Sequence, residues 1–270
     1  MKSNFSLRAI QALIIDMDGV LWLDNTPLPG LVPFFGFLQR KTIPFILATN
    51  NASKTPDQYV RKLADFGVVI RPEHVLSSPL ATAAYLKREL KAGARVYVVG
   101  QEGLNEAMQE AGFILLDDLS QTADAVVAGV DFTLTYDKLK YAALHIQRGA
   151  RFVGTNGDLT FPAEEGPLPG AGAILAAIQA ATGVRPITIG KPERLMFDIA
   201  VSKLGSSSAQ TAMLGDRLET DILGGQRAGL KTILVTSGID NETTILAKGI
   251  EPDAVFSGIE ELTHEWAGVI

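Results

Sequence analysis

The 270-residue chain has no cysteine, so neither a disulfide scaffold nor a thiol nucleophile is available to it. Histidine is almost as scarce. The three present, His74, His145 and His264, share no metal-ligand spacing and read as structural or surface residues. Positive charge is also short, with 24 Lys and Arg against 30 Asp and Glu and a formal net charge of −6. That balance argues against a nucleic-acid surface, which is usually basic. It also means that an anionic ligand must be drawn by a local cationic group, not by the global field. No apolar run approaches membrane-spanning length and the N-terminus lacks signal-peptide form, so the expectation is a soluble cytoplasmic protein with no membrane partner. Short repeats and low-complexity tracts are absent.

What is present is length enough for one large or two modest domains, and a rhythm of strand, loop and helix. Apolar runs of strand length occur at Ala12–Ile15, Pro44–Ala48, Val96–Val99, Ala125–Ala128, Arg151–Val153, Ile187–Ile189, Thr211–Leu214 and Thr232–Val235. Helical stretches are expected at Leu31–Arg40, Thr55–Phe66, Leu104–Ala111, Leu139–Arg148 and Asp221–Ala228, with a buried Ala-rich helix at Ala173–Ala181. Such alternation predicts an α/β fold, a doubly wound and mostly parallel sheet covered by helices on both faces. The chemistry-bearing motifs avoid the middle of the chain. This predicts a core of residues 1–78 and 185–270, with a smaller α/β domain inserted at 79–184.

Four clusters sit where an apolar strand ends or a helix begins: Asp16-Met17-Asp18-Gly19-Val20, Thr49-Asn50-Asn51, Gly190-Lys191-Pro192, and Gly215-Asp216 through Thr220-Asp221. Open α/β sheets bind ligands beyond the carboxyl ends of their strands. Residues two apart on a strand project the same way, so Asp16 and Asp18 share a small space whose like charges a cation would relieve. Carboxylates, a lysine, a hydroxyl and backbone amides at one sheet edge suit phosphoryl transfer through a covalent intermediate. Asp16 is the candidate nucleophile and Asp18 the candidate acid and base. Thr49 and Lys191 are candidates to hold phosphate oxygens, in a pocket whose oxygen donors suit Mg²⁺.

In order and spacing these clusters resemble the four motifs of the haloacid dehalogenase superfamily. Three further features resemble its NagD-type, 4-nitrophenyl phosphatase branch. These are the paired Asn50-Asn51, the large insert, and Thr155-Asn156-Gly157-Asp158 followed by Phe161-Pro162 and Pro169-Gly170. The resemblance implies a Rossmann-type core with a cap, and hydrolysis of small phosphate monoesters through an aspartyl-phosphate on Asp16. It implies Mg²⁺ held by Asp16, the backbone carbonyl of Asp18, and Asp216, with Asp221 beside the metal. It further implies substrate contacts from Gly19, Asn50, Asn51, Asn156 and Asp158, a cap that selects the substrate, and a homodimer formed through the cap. The branch often has proline where this chain has Gly157.

Other readings were open for single motifs. A calcium loop would continue with oxygen ligands, whereas Val20-Leu21-Trp22-Leu23 follows Asp18. Asn51 reads equally as a capping turn before the next helix. Asn156 and Asp158 read equally as a polar turn. Gly224-Gly225 reads as close helix packing, and Gly170 and Gly172 as flexible or close-approach points. A phospho-accepting receiver module needs no acid two residues after its acceptor and is usually near half this length. A dehalogenase does not need Asp18.

Overall fold

The computed structural model describes residues 5–163 and 165–270. The chain forms two units, one built from residues up to Thr49, Pro56–Leu76 and Lys191–Ile270, the other from Asn50–Thr55 and Ser77–Gly190. These limits differ from the borders drawn at 78/79 and 184/185, for local reasons. Ile187–Thr188 pairs in parallel with Arg151–Gly154, which draws the chain up to Gly190 into the second unit. The Asn50 carbonyl accepts from Ser78 Oγ at 2.8 Å and from Asn156 Nδ2 at 3.0 Å, which ties the Asn50–Thr55 segment there as well.

The first unit is organised on a six-stranded sheet. Its order is Ala254–Phe256, Lys231–Val235, Thr211–Gly215, Ala12–Ile15, Phe45–Thr49, Val75–Ser77. In chain order this is 6-5-4-1-2-3, the doubly wound arrangement, and the order reverses beside Ala12–Ile15. Ile15 pairs with both Leu214 and Leu47, so Asp16 stands level with Gly215 on one side and Ala48 on the other. Every residue of Ala12–Ile15, Phe45–Thr49 and Thr211–Gly215 is buried, as expected of a parallel sheet covered on both faces. Leu13, Ile15, Leu47, Leu214 and Val235 share one apolar cluster with Phe34, Phe35, Leu38 and Trp266. Each such burial contributes about 1.5–3 kcal/mol. Helix Arg194–Leu204 packs on Ala12–Ile15 and Phe45–Thr49 and stops where Gly205 adopts a left-handed conformation. A Cβ on Gly224 would lie 2.5 Å from the Phe197 ring, so that glycine allows a close helix approach, as the sequence suggested.

The second unit has a five-stranded sheet, ordered Ile187–Thr188, Arg151–Gly154, Ala125–Ala128, Arg95–Val99, Ile114–Leu116, with every pairing parallel. Tyr97, Val126, Ile146, Phe152, Leu175 and Ile178 form its core. Helix Ala171–Thr182 is not the buried rod expected from its alanine content. Ala171, Ile174, Leu175 and Ile178 are buried, but Ala176, Ala177 and Ala180 face water. Alanine is small enough to be tolerated on either side, so it marks no face. Gly170 and Gly172 are close-approach points, where a Cβ would lie 2.3 Å from the Asp158 carbonyl oxygen and 2.4 Å from that of Gly157. The edge strands Val75–Ser77, Ile114–Leu116 and Ala254–Phe256 escaped the sequence reading because three residues are too few to show a period. Among the described residues no helix is long and apolar enough to cross a membrane.

Candidate active site

Asp16 is the first residue beyond Ala12–Ile15, and its N–H extends the ladder by donating to the Leu214 carbonyl at 2.8 Å. Its carboxylate therefore leaves the sheet at the point where strand order reverses. Lys191 reaches it from the residue before Pro192, with Nζ 2.7 Å from Asp16 Oδ1 and 2.8 Å from Asp221 Oδ1. The Lys191 and Asp221 side chains are almost wholly buried, that of Asp16 nearly so. Burial alone would lower the Lys191 pKa. Asp16 and Asp221 outweigh it and raise the pKa, so the ammonium persists at neutral pH.

Asp216 follows Thr211–Gly215 and opens a wide turn over Leu218–Ile222, whose i→i+5 bond runs from the Ile222 N–H to the Arg217 carbonyl at 3.2 Å. Single π-type turns of this kind recur at functional sites. The turn brings Asp221 back over Gly215, where Asp221 Oδ2 accepts the Arg217 N–H at 3.1 Å. One carboxylate oxygen from each of Asp16, Asp216 and Asp221 lies within 4.8 Å of the others. Burial, then the charges of Asp16 and Asp221, push Asp216 up to about 8. Burial also lifts Asp221 to about 6, against the pull of Lys191. Asp216 Oδ1 is buried with no hydrogen-bond partner, which is costly for a carboxylate oxygen. An orphaned oxygen beside two further carboxylates fits a hard divalent cation, and an all-oxygen donor set fits Mg²⁺.

Asp18 lies on the same loop with its side chain exposed, and Oδ1 accepts the Trp22 indole N–H at 2.7 Å. Trp22 is itself buried, stacked on Tyr59 at 6.4 Å between ring centroids. Asp18 is thus exposed where Asp16, Asp216 and Asp221 are buried. Gly19 has φ 82°, and a Cβ there would lie 2.3 Å from Asp216 Oδ2, so the position suits only glycine. Thr49 ends Phe45–Thr49, is buried, and interacts with the Tyr59 side chain.

The remaining sequence-derived residues gather in the second unit. Asn50 Nδ2 donates to Asp158 Oδ2 at 3.0 Å, and Asn156 Oδ1 accepts the Asp158 N–H at 3.1 Å in a local turn. Asn51 Oδ1 accepts from both the N–H and Oγ of Ser53, the turn preceding helix Pro56–Asp65. The Asn156–Asp158 bond is the polar turn that was one of the two readings of that pair.

One segment escaped the sequence reading. The loop after Lys231–Val235 wraps Asp216, whose Oδ2 accepts the Ile239 N–H at 2.8 Å and whose carbonyl accepts the Asp240 N–H at 3.0 Å. A Cβ on Gly238 would fall 2.0 Å from Asp216 Oδ2, and Ser237 Oγ donates to the Gly19 carbonyl at 2.7 Å. The available signal was position. Ser237-Gly238 follows a strand neighbouring Thr211–Gly215, at the same sheet edge.

This geometry is that of a known family. The haloacid dehalogenase-like hydrolase description matches residues 13–114, and the HAD-hydrolase-like description matches residues 188–262. An acid sugar phosphatase of Staphylococcus aureus is 38% identical over 96% of this chain and 99% of its own. The structure of 4-nitrophenylphosphatase from Thermotoga maritima is 37% identical with a TM-score of 0.89, over 96% of this chain and 98% of that one. Glycerol phosphate phosphatase from Mycobacterium tuberculosis, solved in complex with magnesium, is 32% identical with a TM-score of 0.85, over 95% and 77%. The chain belongs to the haloacid dehalogenase-like hydrolases. Within them it falls with the NagD-type and 4-nitrophenyl phosphatases, and it is an enzyme of the phosphatase class.

Proposed function

We propose that this enzyme is a Mg²⁺-dependent phosphatase that hydrolyses small organic phosphate monoesters through an aspartyl-phosphate on Asp16. The observation that carries the reading is the buried convergence of Asp16, Lys191, Asp216 and Asp221 at the reversal of strand order. Relatives named for sugar phosphate, glycerol phosphate and 4-nitrophenyl phosphate support the substrate class. Nothing in these residues favours dehalogenation, and Asp18 would be idle in it.

The chemistry divides among the chain's own groups. A carboxylate oxygen of Asp16 attacks phosphorus, and the bond from phosphorus to the ester oxygen breaks. Asp18 gives that oxygen its proton, and the alcohol leaves. Asp18, now a carboxylate, takes a proton from a water whose oxygen attacks the aspartyl-phosphate, so that Asp16 departs and inorganic phosphate is released. Lys191 holds the Asp16 carboxylate and offsets its charge as the phosphoryl group arrives, and the Thr49 hydroxyl and the Gly19 region bind phosphate oxygens. Mg²⁺, held by Asp16, Asp216 and the Asp18 carbonyl with Asp221 beside it, would neutralise charge shared by Asp16 and the phosphoryl oxygens. The unit containing Asn50, Asn51, Asn156 and Asp158 is the source of substrate selection.

The test uses 4-nitrophenyl phosphate and a panel of sugar, glycerol and nucleoside phosphates. Turnover should vanish in EDTA and return with Mg²⁺. Asp16→Asn should yield no phosphoenzyme of the kind that survives acid quench and is cleaved by hydroxylamine. A folded Asp16→Asn enzyme that still accumulates phosphoenzyme would remove Asp16 as the nucleophile.

A further inference from the structure

The wide turn that carries Asp216 and Asp221 is held from outside by one buried carboxylate that none of the sequence motifs contains. Asp240 is 2% exposed. Its Oδ2 accepts the Leu218 N–H at 2.8 Å, in the first residue of the turn. Its own N–H donates to the Asp216 carbonyl at 3.0 Å, so Asp240 grips the turn on both sides of Arg217. Its Oδ1 meets Lys248 Nζ at 2.9 Å, and the same ammonium reaches Glu219 Oε2 at 2.9 Å, again on the turn. The neighbouring Ile239 N–H occupies Asp216 Oδ2, which leaves Oδ1 as the oxygen without a hydrogen-bond partner.

These contacts have a common effect. A carboxylate that accepts a main-chain N–H and pairs with an ammonium makes two charge-assisted bonds, stronger than neutral ones. The first acts on the backbone of the segment that presents the acids, and the second joins Asp240 to the ammonium that also holds the Glu219 side chain. A π-type turn is not held by a regular helical ladder, so its shape depends on outside partners. We infer that Asp240, balanced by Lys248, is a positioning residue that keeps the 216–221 turn in its cation-binding shape before any cation arrives. This rests on the reading of Asp16, Asp216 and Asp221 as cation ligands. Groups that orient ligands in this way typically account for about 10–100-fold in metal affinity.

The test is a titration of the metal-free, full-length protein with Mn²⁺, followed by electron paramagnetic resonance, so that no turnover is involved. Asp240→Ala should weaken Mn²⁺ binding by about 10–100-fold. Asp240→Asn keeps one oxygen for the Leu218 N–H and should fall between the alanine variant and the parent. Asp253→Ala is the control for a merely structural loss. Asp253 also accepts a backbone N–H, that of Thr232 at 2.9 Å, but near the amino end of its strand. This control should lower Tm and leave Mn²⁺ affinity unchanged. Parental affinity in a folded Asp240→Ala protein overturns the inference. If that variant does not fold, parental affinity in Asp240→Asn overturns it. An Asp216→Asn protein that binds Mn²⁺ as the parent does would instead defeat the cation assignment, and the positioning role with it. Loss of affinity in both Asp216→Asn and Asp240→Ala, with Asp253→Ala intact, supports both.

Discussion

Asp216 is packed more closely than any other member of the candidate site by residues that have no side chain. Gly19 and Gly238 both lie against its carboxylate, with Cβ positions 2.3 Å and 2.0 Å from Oδ2. Gly238→Ala must therefore push Asp216 aside. It should reduce metal-dependent turnover by about 10–100-fold while the far-ultraviolet circular dichroism stays unchanged. Parental turnover would mean that Asp216 moves without consequence. A second prediction concerns His145, buried in the other unit, whose Nδ1 accepts the Ala123 N–H at 3.4 Å and whose Nε2 lies 3.0 Å from the Asp118 carbonyl. Burial first, and then Arg148, lower its pKa below the ordinary 6.5, against the opposing pull of Asp118. The folded state then binds fewer protons than the unfolded one, so the contribution of His145 is present above 6.5 and is lost as pH falls below it. The Tm of the parent should drop between about pH 7 and pH 5, and His145→Gln should flatten that slope. An equal slope in both would remove His145 as its source. Sequence placed His145 among structural residues because it lacked partners at ligand spacing. The acceptor it offers Ala123 lies 22 positions away and had no sequence signal.

At the scale of elements, central strands were legible and, apart from Ile187–Thr188, edges were not. Ala12–Ile15 and Ala125–Ala128 fall where unbroken apolar runs put them, because a strand buried on both faces must be apolar throughout. The helix expected over Asp221–Ala228 begins only at Leu223, because Asp221 and Ile222 belong to the wide turn. Asp221 is turned inward to Lys191. Packing between elements yields a third prediction. Gly224 faces the Phe197 ring of helix Arg194–Leu204, so Gly224→Ala should cost about 1–3 kcal/mol by overpacking. Chemical denaturation would show this as a lower midpoint. An unchanged midpoint would mean that helix Arg194–Leu204 yields freely.

For the whole molecule, the formal charge of −6 opposes an anionic ester, and Lys191 is shared between Asp16 and Asp221. No long-range steering is therefore expected. At saturating Mg²⁺, kcat/KM should not fall as added salt shortens the Debye length from about 30 Å to about 8 Å. A tenfold fall would reveal a steering surface that the charge count conceals. The sequence by itself determined the alternation of strands and helices, the four motif segments, and the chemistry they offer. Those are properties of short windows, in which burial period and residue type act locally. Only the tertiary structure decided that Asp16 and Asp216 flank the reversal of strand order, that Asp221 shares Lys191 with Asp16, and that the 237–240 loop and Lys248 hold the turn carrying both acids. Such facts depend on sheet order and register, which bring together segments about 200 residues apart, and no window of sequence contains them.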